Sequence, residues 1–139
     1  MRQASATLDL QAPVQGLHDF TDDCARWVAA SGIGDGLLTL FCRHSSASLL
    51  IQENAAPAAR RDLEDYFARI APESASAYTH NDEGPDDMPA HLRTALTAVH
   101  LAVPVQQGRL MLGTWQGIYL FEHRRQPPPR QILLHLVGE

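Results

Sequence analysis

The chain contains no lysine: all eleven of its basic residues are arginine. Schiff-base and lysine-nucleophile chemistry is thereby excluded. Any clamp on a phosphate or carboxylate has to be built from arginine, backbone N–H groups or a metal ion. Cysteine is nearly as scarce. Cys24 and Cys42 form no CxxC or zinc-knuckle spacing; one falls on an apolar helix face and the other in an apolar strand, so both read as buried free thiols. An excess of positive charge is also missing. A formal net charge of −5 argues against general nucleic-acid affinity, which needs a basic footprint. No apolar run approaches a membrane span, and residues 1–7 carry no apolar signal-like stretch. A soluble, cytoplasmic protein with no nucleic-acid or membrane partner is expected.

What is present suffices for one core. With 139 residues, 45% of them hydrophobic, residues 1–139 are expected to form a single domain without disulfide support. Residues 2–11 alternate, placing Ala4, Ala6, Leu8 and Leu10 on one buried side of a strand. Leu17, Phe20, Cys24, Trp27, Val28 and Ser31 recur at helical spacing up to Gly32. Leu37 to Cys42 is a continuous apolar run, expected to be a central strand covered on both faces. Ser48 to Gln52 reads as its hairpin partner, or as its continuation after a bend. A second helix is expected over 57–70, with Leu63, Tyr66, Phe67 and Ile70 as its buried stripe. Pro89 opens a short third helix whose stripe is Leu92, Leu96 and Val99. Strands follow near 101–106, 109–113, 117–123 and 131–137. The fold class is therefore α+β, a mostly antiparallel sheet with about three helices.

Three polar clusters stand out against this frame. Residues 80–91, His80-Asn81-Asp82-Glu83-Gly84-Pro85-Asp86-Asp87-Met88-Pro89-Ala90-His91, combine two imidazoles with four carboxylates, a density that no core accommodates. The others, His44-Ser45-Ser46-Ala47-Ser48 and Gly113-Thr114-Trp115-Gln116-Gly117, each end a strand-like run. Three such clusters in one small domain suggest a single composite site. There is no Gly-x-Ser-x-Gly elbow, so the serines read as phosphate donors and not as nucleophiles.

These clusters, together with Gln52-Glu53-Asn54-Ala55 and the run from Gly108 to Ile118, resemble the YjbQ family, from about residue 2 to the C-terminus. The resemblance implies a compact α+β fold assembled as a homotrimer, with the polar clusters near subunit boundaries. It also implies a secondary thiamine-phosphate synthase, which joins a pyrimidine diphosphate to a thiazole phosphate and releases pyrophosphate. The chain departs from the family pattern at His100, where a serine is usual.

On this footing the candidate metal ligands are His44, His80 and His91, for a divalent ion, zinc or magnesium. His91 lies near a helix start, where the dipole disfavours imidazolium and favours the neutral ring that a metal needs. Glu53, Asp82 and Asp87 are the candidate catalytic carboxylates. Ser46, Asn54, Asn81, Gly113, Thr114, Trp115, Gln116 and Arg125 are the candidates for binding phosphorylated heteroaromatic substrates; Trp115 would stack on a ring and the Arg124-Arg125 pair would clamp a phosphate. Simpler readings stand beside each: surface histidines bonded to nearby carboxylates, Asp86 or Asp87 as a helix cap, Asn54 in an Asx turn, Trp115 at a subunit contact. Two other functions also remain open, a non-catalytic metal- or phosphate-binding trimer and a metal-dependent hydrolase.

Overall fold

The computed structural model describes residues 1–139. Its elements run β1 (Arg2–Leu10), β2 (Gly16–Asp19), α1 (Thr21–Ser31), β3 (Gly36–Cys42), β4 (Ala47–Glu53), α2 (Pro57–Ile70), α3 (Asp87–Leu96), β5 (His100–Gln106), β6 (Arg109–Leu110), β7 (Gln116–Glu122) and β8 (Arg130–Gly138). The strands form two sheets, β1-β8-β3-β5-β6 and β2-β7-β4, and every pairing is antiparallel. This is the expected α+β class. The core lies between the sheets and α1, where Cys24, Val28, Leu38, Leu40, Leu49, Ile118, Ile132, Leu134 and Leu136 are buried. Both cysteines are free and buried, and burial pushes the Cys24 thiol up to about 12. No helix is long and apolar enough to cross a membrane.

Several expectations change, among them the strand near 109–113, which is only Arg109–Leu110. The helical pattern starting at Leu17 conceals a short strand: Gly16–Asp19 pairs with Phe121 and its neighbours on β7, and α1 begins only at Thr21. Of the two readings of Ser48 to Gln52, continuation after a bend is realised and the hairpin is not. The chain bends through residues 43–46 into the other sheet, where Ala47–Glu53 pairs with β7. The stripe on α2 is half realised, since Leu63 and Phe67 pack on Leu17, Tyr119 and Phe121 while Tyr66 and Ile70 are exposed. α3 is rotated from its expected phase: Ala90, Arg93 and Thr94 are buried and Leu96 faces out.

β3 is covered on one face only. Leu37 and Phe41 are 47% and 45% exposed, and register sets them beside Val137, Leu133, Pro104 and His100 on the outer face of the five-stranded sheet. At the start of the same strand, a Cβ on Gly36 would stand 2.2 Å from the Val137 carbonyl oxygen. Backbone cannot yield as a side chain can, so Gly36→Ala is expected to destabilise the fold by about 1–3 kcal/mol, read as a lowered urea midpoint.

Candidate metal centre

The acidic loop returns on itself to bring four ligand-type side chains together. Asp87 and His91 lie one turn apart on the same face of α3, and His80 reaches back from the start of the loop. One oxygen of Asp87, Oδ2, is 2.7 Å from His80 Nε2 and 3.1 Å from His91 Nε2. Glu83 Oε2 is 3.2 Å from the same His80 nitrogen. One ligand atom from each of His80, Glu83, Asp87 and His91 falls within 4.8 Å of the other three. Asp87 is buried, while His80 and His91 stay partly open to solvent.

The histidine protons decide what this arrangement can hold. His91 Nδ1 is 3.0 Å from the Ser45 carbonyl oxygen. A carbonyl only accepts, so Nδ1 carries the hydrogen and a neutral His91 turns a lone pair toward Asp87. Lone pair and carboxylate then face each other and need a cation between them, either a proton or a metal ion. His80 is placed alike, with Asp82 3.3 Å from Nδ1 and carboxylates at Nε2. In the metal-free state the hydrogen bond to Asp87 raises the His80 pKa, against the opposing effect of burial. Burial pushes the Asp87 carboxyl up, but the His80 hydrogen bond and the Arg124 charge outweigh it and hold it below its usual range.

Because the His80 pKa is raised, its proton-linked stabilisation is complete below the ordinary value of 6.5 and is lost as pH climbs through the raised one. The same climb frees the nitrogen for a metal. Divalent-ion affinity is therefore expected to rise with pH between about 6 and 8, which calorimetric titration at stepped pH would measure.

A second layer fixes the cluster. Arg124, just past β7, donates from Nη1 to Asp87 Oδ1, from Nε to Asp86 Oδ2 at 3.0 Å and from Nη2 to the Glu83 carbonyl at 2.8 Å. Asp86 is thus an arginine partner and makes no side-chain cap on α3. The Arg124 amide donates in turn to Glu122 Oε2 at 3.1 Å, and Glu122 is held by Arg130 in a fully buried pair. Deeper still, His123 Nε2 meets Ser48 Oγ at 2.9 Å and Thr97 Oγ1 donates to that hydroxyl at 2.6 Å. Burial, and then the charges of Arg93 and Arg130, lower His123 to about 3. It is a neutral structural ring. Beside the cluster a cavity of about 310 Å³ is lined by Glu83, Gly84, Asp86, Arg124 and Arg125.

The other expected site residues scatter. His44 does not join the cluster, because its Nε2 accepts the Gln131 amide at 2.8 Å; the members beside His80 and His91 are the carboxylates Glu83 and Asp87. Ser46 Oγ accepts from Arg130 Nη1 at 2.9 Å. Asn81 bonds the Tyr78 carbonyl, Asp82 is exposed, and Arg125 pairs with Glu73 while its amide donates to Asp86. Glu53 Oε2 accepts the Ala55 and Ala56 amides at 3.0 and 2.8 Å, a turn leading into α2. Asn54 donates to the Gln116 carbonyl at 3.2 Å, and Gln116 Oε1 accepts the Gly113 amide at 2.8 Å. Trp115 is 63% exposed.

This Asn54–Gln116 group with Gly113, Thr114 and Trp115 sits at the start of β7, whereas Arg124 follows its end. At about 3.3 Å per residue the two ends of that strand lie about 20 Å apart. The single composite site expected from sequence is therefore divided in two within one chain. A cleft of about 440 Å³, lined by Asp19, Asp22, Asp23, Arg26 and Asn54, opens at the far end. Glu83 was legible in the acidic loop as one carboxylate among four. Arg124 showed only as half of a basic doublet, and its partners come from 37 and 38 residues away.

Comparison with known proteins gives a consistent picture. Residues 6–139 match the family model described as UPF0047 protein YjbQ-like. The chain is 46% identical to UPF0047 protein sll1880 of Synechocystis over 99% of its own length and 94% of that protein. It is 44% identical to UPF0047 protein YjbQ of Salmonella typhimurium over 96% of each. Among solved structures it is similar to a YbjQ-like protein of unknown function from Sulfolobus solfataricus, with a TM-score of 0.86 at 27% identity, covering 99% of this chain and 100% of that one. A conserved hypothetical protein from Thermus thermophilus gives a TM-score of 0.82 at 34% identity over 95% and 99%.

Proposed function

The chain belongs to the UPF0047 YjbQ-like family, and from that premise we propose that it is a divalent-metal enzyme of phosphorylated heteroaromatics, a secondary thiamine-phosphate synthase. The supporting observation is the convergence of two imidazole nitrogens on one buried carboxylate oxygen, with the His91 tautomer set by the Ser45 carbonyl. A bound divalent ion would neutralise the diphosphate as it leaves. Arg125 and the adjoining cavity would take a phosphate. In this reading the bond from the pyrimidine methylene to the diphosphate oxygen breaks, with its electron pair leaving on pyrophosphate. The thiazole nitrogen lone pair then forms the new C–N bond. No protein nucleophile is needed, in keeping with a chain that lacks lysine and buries both thiols. Positioning carries the rate.

The reading includes a homotrimer in a cytoplasmic setting. The outer sheet face around Leu37, Phe41, Leu133 and Val137 supplies the apolar surface for a subunit contact. In this reading the Asn54, Trp115 and Gln116 group of one copy serves the metal cluster of another, since within one chain a strand's length separates them. A metal-dependent hydrolase is the second reading. It is favoured by the exposure of His80, whose side chain is 38% accessible, leaving room for a metal-bound water.

The test is elemental analysis of purified protein beside a His80→Ala, His91→Ala double variant, followed by mass-spectrometric assay with the two thiamine precursors. Metal in the parent alone, with thiamine phosphate formed, supports the synthase. Phosphate release from the same substrates without joining supports the hydrolase. Metal without turnover of a broad phosphate-ester panel leaves a binding protein. No metal after loading with zinc or magnesium overturns the proposal.

A further inference from the structure

α3 presents its metal-ligand residues on one face and a guanidinium on another. Arg93, two residues past His91, is only 7% exposed. Its one hydrogen bond runs from Nη2 to the Ala71 carbonyl oxygen at 2.9 Å, and its buried Nε has no acceptor. It belongs to none of the ion pairs of the chain, unlike Arg124 and Arg130. Ala71 is the C-cap of α2, so the helix dipole offsets part of the charge, and Glu73 and Asp86 act on it from beyond ion-pair distance. A buried cation with an unfilled donor is strongly disfavoured. Helix capping alone does not account for it.

Arg93 lines a cavity of about 210 Å³ that also takes in Gln15, Gly16, Glu64, Asp65 and Phe121. It shares no lining residue with the cavity beside the metal cluster. Gly16 shapes one wall. Its φ is +123°, and a Cβ there would stand 2.3 Å from Glu64 Oε2, so only glycine lets that carboxylate lie against β2. The lining of this one cavity thus holds both a cation short of acceptors and a carboxylate that can only accept. A hydrogen-phosphate group satisfies both, accepting from the guanidinium while its P–OH donates to the carboxylate.

We propose that Arg93 and Glu64 form a second ligand site, separate from the metal cluster, that takes a protonated phosphate group, either inorganic phosphate or a small phosphate monoester. Sulfate has the same shape but no hydrogen to donate, so Glu64 excludes it. The site discriminates by a proton.

The experiment is calorimetric and thermal-shift titration of the full chain with inorganic phosphate, methyl phosphate and sulfate. It is run in EDTA, on the parent and on the His80→Ala, His91→Ala variant, so the metal reading cannot enter. Saturable binding of inorganic or methyl phosphate, at least tenfold tighter than sulfate and equal in both proteins, is the expected result. It should disappear in Arg93→Met. Glu64→Gln, which leaves Arg93 in place and supplies an amide donor, should tighten sulfate at least fivefold. Failure of both phosphates to saturate, sulfate matching them in the parent, binding lost in the histidine variant, or no gain for sulfate in Glu64→Gln would each overturn the proposal.

Discussion

Asp87→Asn is expected to weaken divalent-metal binding by at least about 100-fold, or 2.7 kcal/mol, while the chain stays folded. Asp87 Oδ2 is the atom on which both imidazoles converge, and Oδ1 takes Arg124. Asparagine keeps the shape and one acceptor for Arg124, which retains Asp86 as a charged partner. It removes the negative charge that a cation between the imidazoles requires. The nearby Asp82→Asn is the matched control. That side chain is 85% exposed, solvent screens its charge, and its loss should change affinity less than about threefold. Zinc titration of the parent and both variants, with circular dichroism to check folding, separates the roles. Equal affinity in parent and Asp87→Asn would remove this carboxylate from the ligand set.

The second large effect lies behind the site. Arg130 and Glu122 are 2% and 0% exposed. Arg130 donates from Nε to Glu122 Oε1 at 2.8 Å and from Nη1 and Nη2 to Ser46 Oγ and its carbonyl at 2.9 and 3.0 Å. Arg130→Met leaves a carboxylate with no access to water and no counter-charge. Breaking such a pair from one side costs about 3–5 kcal/mol, a large part of a typical domain stability of about 5–15 kcal/mol. Replacing both partners, Glu122→Gln with Arg130→Met, should recover more than half of that loss, because the cost lies in the stranded charge. Urea denaturation of the three variants checks the ordering. Arg130→Met retaining parental stability would show that water reaches Glu122.

Much of the architecture was legible along the chain. Alternation in residues 2–11, the apolar runs of β3, β5, β7 and β8, and the glycine closing α1 report local burial, which successive residues share. β2 escaped because four residues are too few to set a period of two against one of 3.6. α3 was misphased because its buried face holds Arg93 and Thr94, and hydropathy cannot see a polar residue that is inside. β3 was read as covered twice because a continuous apolar run does not say whether both of its faces are covered.

The site divides along the same line. His80, Glu83, Asp87 and His91 sit within twelve residues, so the sequence by itself determined that two imidazoles and several carboxylates would meet: a short loop and one helical turn leave them little room to separate. Family, fold class and the absence of lysine chemistry were settled there too. Only the tertiary structure decided that Arg124 and the Ser45 carbonyl close on this cluster, that His44 is spent on a backbone amide, and that the Gly113–Gln116 turn lies a strand's length away. Those outcomes depend on sheet order and register across dozens of residues. Long-range pairing comes from the packing of the whole core, and no local pattern records it.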